Sequence, residues 1–463
     1  MSGAFSSSHR RSLGVLVGCG FVIWSFIWDN SRQAGADVTN HTLVVTVPRA
    51  TKIVEVLAIA MLTVWAMTVS RNRRVWWVTG SVLLMLAAMV VVSGTIVATL
   101  AGYTTIGGSV QTSYEYFSPL LLALVVGSLS EEIDNPASAV SVFTALVVAN
   151  ALVAWYQVGV RGSWGDAVHG AMHDAHVYAN AAWIVVLWVL VRLYFGYGGR
   201  LRAVLMLTLL VPTAWAAQNE TGNLVLAVVL ASALVIALWV RGPAWRVIVV
   251  ASIIAGSVWF VPIVRGSREL PANLGRVGMV ARNLSALGIV EGYRQLPRVI
   301  AEVPHSVLIG AGPGSYGSAP ALGAMLGGGE APPLMEQFTA ESYRLNAAAR
   351  GYLGSFVEKS TDLTSALIEF GPIATVCALS ALWLLVLRPS IGAAASSSVE
   401  RRAVGLWVVL AASYLLLLSC GTAFYGWSVA HTSAFPIVTS GALLLPSLTG
   451  ALGSAEQAES SAT

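Results

Sequence analysis

Residues 244–264, AWRVIVVASIIAGSVWFVPIV, and residues 364–387, TSALIEFGPIATVCALSALWLLVL, are each long and apolar enough to cross a bilayer. Between them, Arg265 to Leu363 forms the only extended polar stretch of the chain. A helix needs about 20 mostly apolar residues to span roughly 30 Å of hydrocarbon. Working outward from this pair, about twelve such windows start near Leu13, Ile53, Val75, Phe117, Ala137, Val177, Val204, Leu224, Trp245, Thr364, Val404 and Ser428. Of these, Phe117 to Leu129 is the shortest. With 56% hydrophobic and 10% charged residues over 463 positions, the composition excludes a soluble globule. The windows lack the alternation of a membrane barrel, and backbone groups in lipid must be satisfied within their own segment. The expected fold is therefore an all-α polytopic membrane protein with about 12 transmembrane helices.

Lys and Arg are retained on the cytoplasmic side of short loops. A cytoplasmic N-terminus puts His9-Arg10-Arg11, Arg71 to Arg74, Arg192 to Arg202, Arg241 to Arg246 and Arg388 to Arg402 inside, with the Glu131-Glu132 loop as the acidic exception. An even number of crossings leaves both termini cytoplasmic and the polar stretch outside. The expected organisation is a tail over 1–12, helices over 13–264, an extracytoplasmic loop domain over 265–363, further helices over 364–449 and a tail over 450–463. The first apolar run continues to Trp28 without a cleavage site and reads as a retained span. Cys19, Cys377 and Cys420 fall inside expected spans, lack disulfide or metal spacing, and read as packing residues. The net charge of +4 is accounted for by topology and gives no support to a nucleic-acid partner.

The polar stretch divides into three parts. From Arg265 to His305 six arginines face three glutamates, and Val290, Leu296, Val299 and Ile300 recur at helical spacing, which predicts one or two helices on the membrane face. Leu308 to Gly329 is too rich in glycine for helix, and Pro313 forbids a central helical position, so a tight loop is expected around Gly310-Ala311-Gly312-Pro313-Gly314-Ser315-Tyr316. Leu334 to Lys359 returns to helical composition. The chain then re-enters the membrane through Ser360-Thr361-Asp362 and Glu369-Phe370-Gly371.

This order of parts resembles the O-antigen ligase and O-antigen polymerase superfamily of bacterial envelope enzymes, over nearly the whole chain. Arg294, the apolar run Val299 to Val307, the turn Gly310 to Tyr316, and then Asp362, Glu369 and Gly371 match the family's order of arginine, helix, glycine turn and acidic re-entry. Three departures stand out. Ser360 occupies the position of the family's loop histidine, Glu220-Thr221-Gly222 stands where a Ser-Arg pair is common, and His176 stands roughly where relatives carry the Asn of Pro-Asn.

The resemblance implies transfer of a glycan from an undecaprenyl diphosphate carrier to an acceptor hydroxyl on a glycan or glycolipid, at the outer face of the bacterial cytoplasmic (inner) membrane. It implies no metal and no other cofactor. Such a reaction needs cations for the leaving diphosphate and a group that takes the acceptor's proton. Arginine forks bind phosphate oxygens in pairs, so Arg282, Arg294 and Arg298 are the candidates for the first task. Arg294 and Arg298 share a face if the segment is helical. Anionic headgroups on an interfacial helix are the alternative reading. Gly312, Gly314 and Tyr316 would bring backbone close to a sugar or phosphate, or simply reverse the chain. For the base, Ser360 cannot substitute for histidine unaided; Asp362, His176 and Glu369 are the candidates, with Glu341 and Glu358 as unranked alternatives. Asp362, Ser360 and Thr361 also compete as helix N-cap, and Glu369 could hold a structural hydrogen bond. His169, His173 and His176 with Asp174 could bind zinc at helical spacing or be merely solvated. Two other classes remain open: a transporter using Glu55, Glu369 and His431, and a non-catalytic relative that binds lipid-linked glycan or scaffolds envelope assembly. The oligomeric state is open, and membrane lipids are expected partners.

Overall fold

A computed structural model describes residues 20, 22–23, 57–61, 64, 74–128, 130, 136–163, 167–172, 175–217, 220–239, 289–317, 334, 361–421 and 431–444. Arg282, Ser360, His173, Asp174 and Glu55 lie outside the described residues, as do the expected span from Trp245 and most of the stretch from Leu334 to Lys359. For Arg294, Glu220, Thr221 and His431 only the backbone is described.

Every regular element among the described residues is helical. In chain order they are α1 (Arg74–Leu100), α2 (Ile106–Ser128), α3 (Ser138–Gly159), α4 (Ala175–Tyr194), α5 (Arg200–Ala216), α6 (Glu220–Trp239), α7 (Ile289–Glu302), α8 (Ser306–Ile309), α9 (Asp362–Glu369), α10 (Gly371–Leu382), α11 (Arg388–Ala394), α12 (Val399–Gly421) and α13 (His431–Ala442). Five segments, Gly80–Leu100, Ser138–Gly159, Ala175–Tyr194, Gly371–Ala394 and Val399–Cys420, are long and apolar enough to cross a membrane. The chain is an all-α membrane protein.

Helix α4 is the centre of the bundle, because its sequence is apolar on all sides and 78% of its most apolar window is buried. It packs against α3, α5, α6, α12 and α13. Trp407 Nε1 of α12 donates to the Ile184 carbonyl at 3.0 Å, and the Tyr414 hydroxyl donates to Asn180 Oδ1 at 2.6 Å. A residue later on α12 thus meets a residue earlier on α4, so the two helices run antiparallel. By contrast α1 is peripheral, and Val82, Met85, Met89, Val92 and Ile96 remain exposed.

Two breaks position the polar end. Helix α9 stops at Phe370 and α10 restarts at Gly371, whose φ of +77° suits only glycine and whose successor Pro372 has no amide to continue α9. Further on, α10 widens into a π turn over Trp383–Leu387 before α11. Pro389 cannot donate to the carbonyl one turn back, and the Arg388 amide reaches Trp383 instead.

Helix α2 begins at Ile106, well before the apolar window near Phe117. Its first half is polar yet buried: Ser109, Thr112 and Glu115 face inward, and Gln111 Nε2 donates to Glu115 Oε1 at 3.3 Å. Hydropathy misses this half because its inward polar side chains, Ser109 and Glu115 among them, bond to protein rather than to water.

Candidate functional site

Helix α9 carries a buried carboxylate at each end, Asp362 at 2% exposure and Glu369 at 0%. Their surroundings differ. Thr361 caps the helix in a reciprocal box: its hydroxyl accepts from the Thr364 amide at 3.1 Å, and Thr364 Oγ1 accepts from the Thr361 amide at 2.9 Å. Of the competing caps, Thr361 therefore fills the role. Asp362 is released from it and turns into the bundle.

Asp362 Oδ1 accepts from the Tyr116 hydroxyl of α2 at 3.3 Å, and Oδ2 accepts from the Ser419 hydroxyl of α12 at 3.2 Å. Both bonds are long for hydroxyl donors, whose usual separation is about 2.7–2.8 Å. Tyr116 is held in place by an edge contact with Phe370, ring centroids 4.9 Å apart. Glu369 is bound more firmly. Its Oε2 accepts from the Gly314 amide at 2.7 Å and its Oε1 from the Tyr316 amide at 3.1 Å.

The glycine turn is built around that carboxylate. The amides of Ala311 and Gly312 donate to the carbonyls of Ile368 and Glu369 at 2.7 and 3.0 Å, satisfying the end of α9. The Pro313 carbonyl accepts from Ser109 and Thr104 hydroxyls at 2.9 and 3.0 Å. A Cβ on Gly371 would lie 2.5 Å from the Gly310 amide nitrogen, so these two glycines allow the turn and the helix break to touch backbone to backbone. Gly312 packs on Ala98 of α1 and Gly314 on Thr112 of α2. Tyr316 is fully buried with Val299, Val303 and Ile368. The amides that the turn could offer a phosphate are thus donated to an internal anion, the Glu369 carboxylate.

Helix α7 lies over this assembly. Its sequence is strongly amphipathic, with Val299, and Val303 just after its end, buried with Tyr316 and Ile368 while Pro297 and Arg298 are exposed. Arg294 lies one turn before Arg298 on the same helix. The Tyr293 hydroxyl donates to the Cys420 carbonyl at 3.3 Å and accepts from Thr361 Oγ1 at 3.5 Å, the outer limit of a bond. Burial pushes the Tyr293 phenol above its ordinary value, so it stays a donor across the neutral range. Cys420 is exposed at the end of α12, unlike the buried Cys377.

His176 occupies the first turn of α4, half-buried. His176 and Asp362 belong to one end of the bundle. His176 is a turn before Asn180, and Ser419, which holds Asp362, is just over a turn beyond Tyr414, the Asn180 partner. The loop before α4 is clamped from α3. Gln157 Oε1 accepts from the His169 and Gly170 amides at 3.1 and 2.8 Å, Gln157 Nε2 donates to the Gly170 carbonyl at 2.8 Å, and Asn150 Oδ1 accepts from the Ala171 amide at 2.6 Å. Among the described residues no three His, Cys, Asp or Glu side chains converge as a metal site.

Sequence reasoning did not single out Tyr116, Ser419, Asn150 or Ser109. Their common signal is a polar side chain inside or beside an apolar span, which needs a protein partner. What fold and geometry define is an all-α membrane protein with a polar, acid-bearing assembly at one end of its bundle. No protein-family model matches the chain, and no curated protein shows significant similarity to it.

Proposed function

We propose that the chain is a metal-independent inverting glycosyltransferase of the O-antigen ligase or polymerase kind, with about twelve spans and cytoplasmic termini, embedded in the bacterial cytoplasmic membrane. It would move a glycan from undecaprenyl diphosphate to an acceptor hydroxyl at the outer face, within the loop domain over 265–363. The observation that carries this reading is the unequal treatment of the two α9 acids. Glu369 accepts from two backbone amides and anchors the turn, whereas the Asp362 carboxylate accepts from the side-chain hydroxyls of Tyr116 and Ser419 at 3.3 and 3.2 Å beneath the helix that bears Arg294 and Arg298.

In the reaction the acceptor oxygen bonds to the anomeric carbon as the carbon–oxygen bond to phosphate breaks, and the diphosphate leaves with the electron pair. Asp362 takes the acceptor proton. Tyr116 and Ser419 orient its carboxylate and yield as the proton arrives. Arg294 and Arg298, joined by Arg282, bind the departing diphosphate. His176, at the same end, is the second candidate for the proton. Gly312, Gly314 and Tyr316 act through Glu369, shaping the wall on which the glycan rests.

A carrier is the second reading, favoured by the helix break at Phe370–Gly371 beside a buried acid. Deleting the gene and profiling lipid-linked and surface glycans separates the two. Transferase loss accumulates lipid-linked glycan, and wild type restores the product while Asp362→Asn does not. Unchanged glycans after deletion would remove the transferase reading, and full rescue by Arg294→Ala would remove the arginine assignment.

A further inference from the structure

At the end of α4 opposite the acids, two arginines line one shallow cleft. Arg192, in the last turn of α4, and Arg202, in the first turn of α5, share it with Gly198 and Gly199 on the water side and Val189, Leu193 and Met206 on the apolar side. Arg192 is held rigidly. Its Nε donates to the Tyr197 carbonyl at 3.2 Å, and its guanidinium carbon lies 5.7 Å from the Trp188 ring centroid and 5.0 Å from that of Tyr197. Gly198, at φ +99°, leaves room for the guanidinium to lie flat against its backbone; a side chain there would collide with it.

Like charges that share a cleft repel unless an anion sits between them, and both arginines line this one. Among the described residues neither guanidinium carries an ion pair. A third arginine, Arg402 of α12, lies 5.5 Å over the Phe195 ring of the same loop, and its buried Nε has no hydrogen-bond partner among the described residues. One fork held in place with a second beside it, neither ion-paired among the described residues, is an arrangement that binds phosphate oxygens. Interior space of about 10 Å³ admits a single water, so an anion would seat across the mouth, between the two forks. The apolar wall, with Trp188 and Tyr197 beside it, places that mouth at headgroup depth.

We infer that the α4–α5 cleft is a binding site for the phosphate of an anionic lipid headgroup, about 25 Å from the acid-bearing end along α4. It is independent of the transferase reading.

The test uses the full chain, purified and placed in nanodiscs of phosphatidylcholine with a minority of phosphatidylglycerol, with native mass spectrometry of the lipids that stay bound. Wild type retains phosphatidylglycerol preferentially, and Arg202→Gln, an exposed position that leaves Arg192 packed, lowers that retention about fivefold. Arg200→Gln, which changes a neighbouring charge outside the cleft, leaves retention unchanged. Equal retention by wild type and Arg202→Gln would overturn the site, and an equal loss in Arg200→Gln would reduce it to general surface charge. In a second arm inorganic phosphate is added to detergent-purified protein. No change in melting temperature supports the lipid as ligand, whereas a rise matching that given by phosphatidylglycerol would overturn the lipid assignment in favour of a free anion.

Discussion

Asp362 and Glu369 lie two helical turns apart on one short helix, and substituting them should have opposite consequences. Glu369→Gln replaces an acceptor of two amide bonds with a group that can serve only one of them well. It should cost about 1.5–3 kcal/mol of stability, read as a lowered melting temperature. Asp362→Asn keeps the shape and an acceptor for Tyr116 or Ser419, so stability should fall by only about 1 kcal/mol while glycan transfer is lost. Equal damage to stability in both variants would contradict the division of roles. Gly310→Ala should be worse than either. Its Cβ would lie 2.5 Å from the Phe370 carbonyl carbon, and the backbone at φ +75° and ψ 169° is essentially reserved for glycine, a strain of about 1–3 kcal/mol for any other residue.

At the scale of elements, α7 is tied to the bundle through Tyr293, and that tie should fail in alkali. Burial raises the phenol above its ordinary value of 10.0 by favouring the neutral form. The stabilisation is therefore complete below the ordinary value and is lost as pH rises through the higher folded one. The melting-temperature difference between wild type and Tyr293→Phe should hold to about pH 10 and shrink above it. A difference that stays flat through alkaline pH would show that the hydroxyl contributes nothing. The sequence makes α7 legible, since Val299 to Ile300 and Leu296 fall at helical spacing, and it also marks the glycine turn that follows. It does not reveal that the turn folds onto Glu369, because a carboxylate separated by more than fifty residues leaves no local pattern. Nor does it reveal the first half of α2, where Ser109, Thr112 and Glu115 are inward polar residues that lower hydropathy.

For the whole molecule, long apolar windows are readable because lipid demands them, and helices stand at the windows near Val75, Ala137, Val177, Thr364 and Val404. Orientation is an expectation from arginine placement alone, and native cysteines can test it. In a Cys19→Ser, Cys377→Ser background, an impermeant thiol reagent should label Cys420 from outside, since Cys420 is exposed at the acid-bearing end. A cysteine placed at exposed Ser397, at the other end, should label only after the membrane is opened. The reverse pattern would turn the molecule over and put the acids in the cytoplasm. The most direct test of the central claim is a transfer assay with purified protein in proteoliposomes, using lipid-linked glycan as donor and a glycolipid acceptor. Wild type should form the glycosylated acceptor and release the lipid diphosphate, and Asp362→Asn of matched melting temperature should form none. Wild-type transfer rates in Asp362→Asn would contradict the account.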